Sequence, residues 1–406
     1  MRFVVGNERP RLMRVLVVPK WYPWPERPVF GIFCREQARA IAREHDVIVL
    51  ASDAVARPGF AAFELSDAVE DGLRTIRVRY RRPRFRPAAM ACQIAGMLVA
   101  LRRLRRERWR ADIVHAHVYS AGLPALVLGR LTGAKVVVSE HYTGFQRGLV
   151  TGYDRWTARI VFRYADLVAP VSEDLARYVQ ALAPRARVRV VENVVDTDVF
   201  QPPKERHPLA PGASAQLLTV AALVPKKGHA DLLEALAELR RERAVTLELV
   251  GTGELRGQLE DRARELGLSA AVRFEGERLK REVAAFMRSA DLFVLPSLFE
   301  NLPCVLIEAT ASGLPFVATA VGGVPALAEG TGGVLCPPSD PQALAAAIAS
   351  ALDRRTQIDP RALAEHARQR FGYEAIARIW TQIYDELRSS SGTTSSASVR
   401  RTTSGR

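Results

Sequence analysis

A chain of 406 residues is too long for one ordinary hydrophobic core and points to two domains of about 150–200 residues each. Its 48% apolar and 25% charged content is that of a soluble globular protein, and its four cysteines (Cys34, Cys92, Cys304, Cys336) stand far apart without CxxC spacing, which argues against a zinc ribbon or disulfide framework and fits a reducing cytosol. The formal charge of +14 is carried mostly by arginine, with no zinc finger or basic-aromatic RNA motif beside it, so charge alone does not make a nucleic-acid binder; small phosphorylated substrates and an anionic membrane face stay open.

Residues 1–12 read as a ragged leader, and the first apolar run, Val15–Val18, is too short for the core of a secretory signal. That run is the first strand. The loop KWYPWPERPVFG follows it, then a helix from Ile32 to Arg43. Further strands are expected at Val47–Ala51, Asp112–His117, Lys135–Glu140, Leu167–Pro170 and Val188–Val191. The weakly polar run Ala88–Leu101 falls short of the roughly 18–20 residues that span a bilayer. This alternation defines an N-terminal Rossmann-like domain over 13–200. The Pro-rich stretch 201–214 is the linker.

Strand–helix alternation restarts over 215–370. Strands are expected at Leu217–Leu223, Thr246–Val250, Val272–Phe274 and Leu292–Pro296, with helices His229–Arg241 and Leu255–Leu266 between them. A last helix within 371–388 is placed to cross back to the N-terminal domain, and the Ser/Thr/Arg-rich tail 389–406 is expected to be disordered. The fold class is therefore α/β, with two Rossmann-like parallel-sheet domains facing each other across a cleft. Open sheets of this kind bind ligands beyond their strand C-termini.

Chemistry concentrates at those strand ends. In SLFENLPCVLIEATASG (297–313) a strand ends, a loop carries Glu300, Pro303 opens a helix and Gly313 stops it. The N–H groups of Cys304, Val305 and Leu306 then face the cleft as an anion site. Glu308 lies about 7–8 Å deeper along the helix, at ribose distance from such a phosphate site. Two glutamates eight apart are common, however, and spacing alone favours reading them as solvated surface residues. A second strand–helix junction carries Lys226 and Lys227, a conspicuous pair in a chain with six lysines.

His141, at the end of an N-domain strand, reads either as a donor to a bound sugar or as a satisfied core histidine. His115 and His117 share one strand face, but no third ligand accompanies them as a metal site would require. Asp196-Thr-Asp198 imitates an acidic metal-binding cluster but lies in a turn, and reads as turn chemistry. Gly251-Thr-Gly253 is a close-approach loop. Residues 77–110 hold twelve arginines and one acid, Glu107. They read either as an interfacial helix on an anionic leaflet or as an exposed amphipathic helix whose arginines snorkel.

Together these segments resemble the GT4 family of retaining glycosyltransferases, which has the GT-B fold, from about Met13 to Leu387. The match is most specific in ENLPCVLIEATASGLPFVATAVGGVP, where Glu300 and Glu308 stand eight apart, and it extends to LVPKKGHADLLEAL, LVGTGELRGQLEDRARELGL, ADLFVLPS and VVENVVDTDVF. The segment WYPWPERPVFGIFCREQ is similar to a subgroup acting in bacterial surface-polysaccharide assembly. The resemblance implies that Glu300 contacts the transferred sugar, Glu308 the ribose and Lys227 the diphosphate. His141 would bond the donor sugar, and Gly31 would belong to the loop closing over the phosphates. Lys226, Asn301, Leu302, Pro303, Cys304, Val305 and Gly251 complete the implied donor site.

The implied donor is a UDP- or GDP-sugar, the acceptor a lipid-linked or polysaccharide glycan, with no metal or other cofactor and no nucleic acid. The implied location is the cytoplasm, with peripheral contact to the inner membrane face through 77–110. One departure stands out: Ala222 occupies the place of a family arginine five residues before Lys227. A GT-B module that binds nucleotide or glycan without turnover is the alternative this departure leaves open.

Overall fold

The structure, a computed structural model, describes residues 12–56, 63–205 and 213–390. The expected leader and tail therefore lie largely outside the described residues, as does half of the expected linker. In chain order the N-terminal half runs β1 (Arg14–Pro19), α1 (Ile32–Ile41), β2 (Asp46–Val55), β3 (Phe63–Glu70), β4 (Leu73–Arg81) and α2 (Arg86–Arg106). It continues with β5 (Ile113–His117), α3 (Tyr119–Thr132), β6 (Lys135–Glu140), α4 (Gly152–Tyr164), β7 (Leu167–Pro170) and α5 (Glu173–Leu182). β1, β5 and β6 are almost wholly buried apolar runs, as strands covered by helices on both faces must be. The seven strands form one sheet in the order β3-β4-β2-β1-β5-β6-β7.

Every pairing in that sheet is parallel except β3–β4, an antiparallel hairpin at the edge. Its turn, Asp71-Gly72, has both residues at positive φ (49° and 80°), the geometry that favours Asp-Gly in two-residue hairpins. No apolar run marks this hairpin, because β3 is half-exposed and acidic and the mostly buried β4 carries four arginines. One expectation needs correction: Val188–Val191 is not a strand. It runs beside β7, with Val168 N–H donating to Arg187 and Arg189 and Val191 donating back, but only Val188 forms a bridge.

The C-terminal half begins with β8 (Ala215–Val220), α6 (His229–Leu239), β9 (Val245–Val250), α7 (Arg256–Glu265), β10 (Val272–Gly276) and α8 (Lys280–Ser289). Then come β11 (Leu292–Leu295), α9 (Cys304–Ala311), β12 (Phe316–Thr319), α10 (Val324–Ala328) and β13 (Val334–Cys336). Three helices close the chain: α11 (Pro341–Arg354), α12 (Pro360–Phe371) and α13 (Tyr373–Ser389). The sheet is parallel throughout, in the order β10-β9-β8-β11-β12-β13.

Each sheet carries a core on both faces. In the N-terminal domain α2, α3 and α4 cover one face, and α1 covers the other together with α13. Trp380 and Tyr384 of α13 are fully buried there, and Trp380 Nε1 donates to Gln37 of α1 (3.1 Å). Val171, Leu175, Val195 and Phe200 join the second core of the C-terminal domain, so apolar contact continues across the junction of the two halves.

The arginine-rich segment divides between these layers. On β4, Arg77 pairs with Glu70 (2.5 Å) and lies over Trp24, while Arg79 pairs with Glu26 (2.7 Å). On α2, Met97, Ala100, Leu101 and Leu104 are buried, and Arg103 bonds Asp67 and Glu107. Among the described residues no helix is long and apolar enough to cross a membrane.

Candidate active site between the two sheets

The C-terminal ends of β1, β6, β8 and β11 converge on a cavity of about 840 Å³ between the domains. Its walls include Gly31, His141, Lys226, Lys227 and the run Glu300 to Val305. The loop after β11 supplies that run. Asn301 is locked in place from both domains: its Nδ2 donates to the His141 carbonyl (2.8 Å), and its own carbonyl accepts from Gly323 N–H (2.7 Å). Gly322, at φ 54°, backs directly onto the Glu300 carbonyl, where a Cβ would collide. The Gly322-Gly323 turn is therefore a floor under Glu300, and glycine is there because nothing larger fits.

Pro303 is not the first helical residue as the sequence pattern predicts. It is the N-cap, in extended conformation (φ −70°, ψ 117°), and α9 starts at Cys304. Leu306 N–H turns back onto the Pro303 carbonyl (3.2 Å), so the open donors of this helix end are Cys304 and Val305 rather than three residues. A proline cap is favourable here because it has no N–H to leave unpaired.

The Glu300 carboxylate is buried and ion-paired with Lys227 Nζ. Lys226 points the other way, donating to Thr143 Oγ1 of the opposite domain (3.2 Å). Both lysines sit on a single 3₁₀ turn, Pro225–Lys227, ended by Gly228 at φ 64°, where a Cβ would strike the Pro296 carbonyl. Burial first, then the neighbouring Lys227, pushes the Lys226 ammonium below its ordinary value.

His141 stands on the facing wall. Its Nε2 lies 3.1 Å from His117 Nδ1, its ring stacks on His117, and Phe33 packs against it at 4.8 Å. Burial lowers its pKa to about 3, so the ring is neutral at physiological pH. Its Nδ1 is buried and makes no hydrogen bond of ordinary geometry among the described residues, although Asn193, whose Oδ1 is likewise unpartnered, lies close enough to oppose the lowering of its pKa. The loop holding it is anchored by Glu140, whose carboxylate accepts the backbone N–H groups of Tyr119, His141 and Tyr142 (2.8–2.9 Å). His115 and His117 serve the fold: His115 bonds Tyr384 (2.7 Å) and Ser139 (2.8 Å) and stacks on His117. Among the described residues no group of three His, Cys, Asp or Glu side chains is arranged to hold a metal ion.

Two predicted residues lie off the cavity wall. Gly251 (φ 141°) presses on the Ala221 carbonyl, which shapes the loop bearing Ala222 without facing the cavity. Glu308 is half-buried one turn into α9, and its side chain makes no hydrogen bond or ion pair among the described residues. Burial raises its carboxyl to about 7, against the attraction of Lys280.

Sequence reasoning missed several groups. Asn193 is buried between the domains, and its Nδ2 donates to the Leu302 carbonyl (2.6 Å). A polar residue inside the apolar run VVENVV is the signal that it needed such a partner. Asp196 does shape its own turn, accepting Asp198 N–H, but it also binds Arg39 (3.1 Å) and Lys280 (2.7 Å). Lys280 in turn reaches Glu36 of α1 (2.6 Å), which makes an ion cluster across the two halves. Trp21, Phe30, Phe33 and Tyr142 form an aromatic group at the same cavity, which only the tertiary fold assembles.

Comparison with known proteins agrees with this architecture. Residues 31–199 match the family model described as Glycosyltransferase Family 4, and residues 201–370 the model described as Glycosyl transferases group 1. The chain is 30% identical over 404 residues to the glycogen synthase of Mycobacterium tuberculosis, spanning 92% of this chain and 94% of that one. It is 33% identical over 302 residues to D-inositol 3-phosphate glycosyltransferase 2 of Catenulispora acidiphila, spanning 67% and 70%. The crystal structure of Anabaena HepE in complex with UDP and glucose shares the fold at a TM-score of 0.69 and 20% identity, over 93% of this chain and 100% of that one. This chain belongs to glycosyltransferase family 4 and is a GT-B glycosyltransferase of glycan or polysaccharide synthesis.

Proposed function

We propose that the protein is a retaining, metal-independent hexosyltransferase. It moves a sugar from a UDP- or GDP-sugar to a lipid-linked or polysaccharide acceptor in cell-surface glycan synthesis. The observation that carries this reading is the Glu300–Lys227 pair, set beside the open N–H groups of α9 and across from the neutral ring of His141. The diphosphate meets Lys226, Lys227 and the helix end, a cationic surround that supplies the charge a metal supplies elsewhere. Glu300 contacts the transferred sugar and Lys227 the phosphate, so donor binding exchanges their mutual pair for one with substrate on each side. His141 Nδ1 hydrogen-bonds the sugar, and the departing phosphate takes the acceptor proton, which places attack on the leaving-group face and retains configuration. Glu308 accepts the ribose hydroxyls from beneath the wall. The UDP in the HepE complex, on the same fold, supports a nucleotide-sugar donor.

The acceptor enters from the N-terminal domain, past Trp21 and Phe30. The exposed arginines flanking α2 hold the protein to the anionic cytoplasmic face of a membrane, each contributing up to about 1 kcal/mol. The test is release of nucleoside diphosphate from a panel of UDP- and GDP-sugars by wild type and Glu300→Ala. Loss of release in the variant by about a hundredfold or more is expected. Equal turnover by both proteins would remove Glu300 from the chemistry. Donor binding without transfer to any acceptor would favour the non-catalytic module that Ala222 leaves open.

A further inference from the structure

The donor cavity carries more cations on its wall than its ion pairs account for. Of the cations on its wall, Lys227 is paired with Glu300 and Arg27 with Asp53 (2.7 Å). Lys226 and Arg147 remain. Neither has a carboxylate partner among the described residues, and Glu277, on the same wall, pairs with neither. They belong to opposite domains yet stand close together. Lys226 donates to Thr143 Oγ1, and Arg147 N–H closes the turn onto the Thr143 carbonyl (3.3 Å). Arg147 is near enough to help hold the Lys226 ammonium below its ordinary value, after burial and Lys227. Lys226 is half-buried and Arg147 is exposed at the cavity rim, and because no direct ion pair neutralises either among the described residues, a bound anion gains the attraction of both.

The loop that presents Arg147 is fixed rather than free. Next to it, Gln146 donates to Asp174 of α5 (2.5 Å) and lies against the Gly322 turn beneath Glu300. On the opposite wall Ala222 is exposed to the cavity with a methyl group alone.

We propose that Arg147, from the N-terminal domain, is a diphosphate-binding residue that supplies the guanidinium missing at Ala222, so that the donor's phosphates are held by cations from both domains. This rests on reading the cavity as a nucleotide-sugar site. It follows that the diphosphate adds a charged contact between the domains beside the Lys226–Thr143 hydrogen bond that is already there.

The experiment is calorimetric titration with UDP and with GDP of wild type, Arg147→Gln, Arg147→Gln/Ala222→Arg, and Arg163→Gln as an exposed control on α4 without an ion-pair partner. Arg147→Gln is expected to bind the preferred diphosphate at least about tenfold more weakly, the loss of one charge-assisted contact. The double variant is expected to recover most of that loss, because the charge returns from the other wall. Arg163→Gln is expected to match wild type. Wild-type affinity in Arg147→Gln, with wild type binding diphosphate, overturns this inference alone. A weakened Arg147→Gln that Ala222→Arg leaves unrescued overturns it too, since the loss is then structural. If wild type binds neither UDP nor GDP, the donor-site reading itself falls.

Discussion

Replacing Lys280 by methionine keeps the apolar stem and removes a charge on which two buried carboxylates depend. Lys280 Nζ donates to Glu36 (2.6 Å) and Asp196 (2.7 Å), whose side chains are 8% and 4% exposed. Removing one partner of a buried ion pair typically costs about 3–5 kcal/mol, because the other charge is left in a poor solvent. Arg39 still reaches both carboxylates and Tyr373 still donates to Glu36, so the expected loss is about 3 kcal/mol, the low end of that range. Urea denaturation at fixed pH measures it. The sign of the pH dependence follows from Asp196. Burial pushes its carboxyl up, but Lys280 and then Arg39 outweigh it and hold the group below its ordinary 3.8. A carboxyl lowered in this way adds stability that is fully present above about pH 3.8 and disappears as pH falls through its folded value. In Lys280→Met that lowering weakens, Asp196 takes its proton at higher pH, and the gap from wild type is full at pH 7.5 and narrower at about pH 3, below the ordinary value of the group. Adding Glu36→Gln to the variant should return part of the loss by removing one of the two like charges. A deficit under 1 kcal/mol, or one equal at both pH values, would refute the reasoning. Because Lys280 joins α8 to α1 across the cleft, the same variant should also raise the donor KM.

Glu308→Gln should alter the pH profile of stability rather than its maximum. The Glu308 carboxyl is raised to about 7, so between about 4.5 and 7 the folded state keeps a proton that the unfolded chain has released, and stability falls as pH rises through that window. Thermal melts at pH 5 and 7.5 should show a smaller fall in the Gln variant, and an identical fall in both proteins would contradict the assignment. Gly322→Ala and Gly267→Ala form a matched pair at positive φ (54° and 69°). No atom lies within 4 Å of a Cβ at Gly267, so only the left-handed strain of about 1–2 kcal/mol is expected, with transfer unchanged. At Gly322 the Cβ must displace the Glu300 carbonyl, and a displacement of about 1 Å at the chemistry costs on the order of a hundredfold in turnover. Equal activity in the two alanine variants would mean that the glycine turn does not position Glu300.

What was legible in the sequence follows from how far apart the interacting residues lie. The parallel strands announce themselves because each is a local run buried on both faces, and β6, β7 and β9 appear almost residue for residue. The β3–β4 hairpin does not, since half of β3 faces water, β4 intersperses arginines among its apolar residues, and the one clear mark is the Asp71-Gly72 turn. The Lys226-Lys227 turn and the Glu300 loop are equally local, each a strand end running into a helix, and pattern alone could mark them as an anion site. Which lysine does what could not be read there. A one-residue step along a 3₁₀ turn sends Lys227 to Glu300 and Lys226 to Thr143 of the other domain.

The illegible part of the site is the part built from both domains. Asn193 to Leu302, Asn301 to His141, Lys226 to Thr143 and Lys280 to Glu36 each join residues from 83 to 244 positions apart. No periodicity encodes such pairs. They leave one indirect trace, a polar side chain where the local pattern asks for an apolar one, as at Asn193 and Asp196. Those contacts also decide what the cavity can do. The C-terminal domain alone offers Lys226, Lys227 and the end of α9, and the missing arginine at Ala222 makes that set look deficient. Closing the N-terminal domain over it adds Arg147 and the free nitrogen of His141. The apparent defect is one of a single wall, and the charge balance of the site is a property of the closed pair of domains.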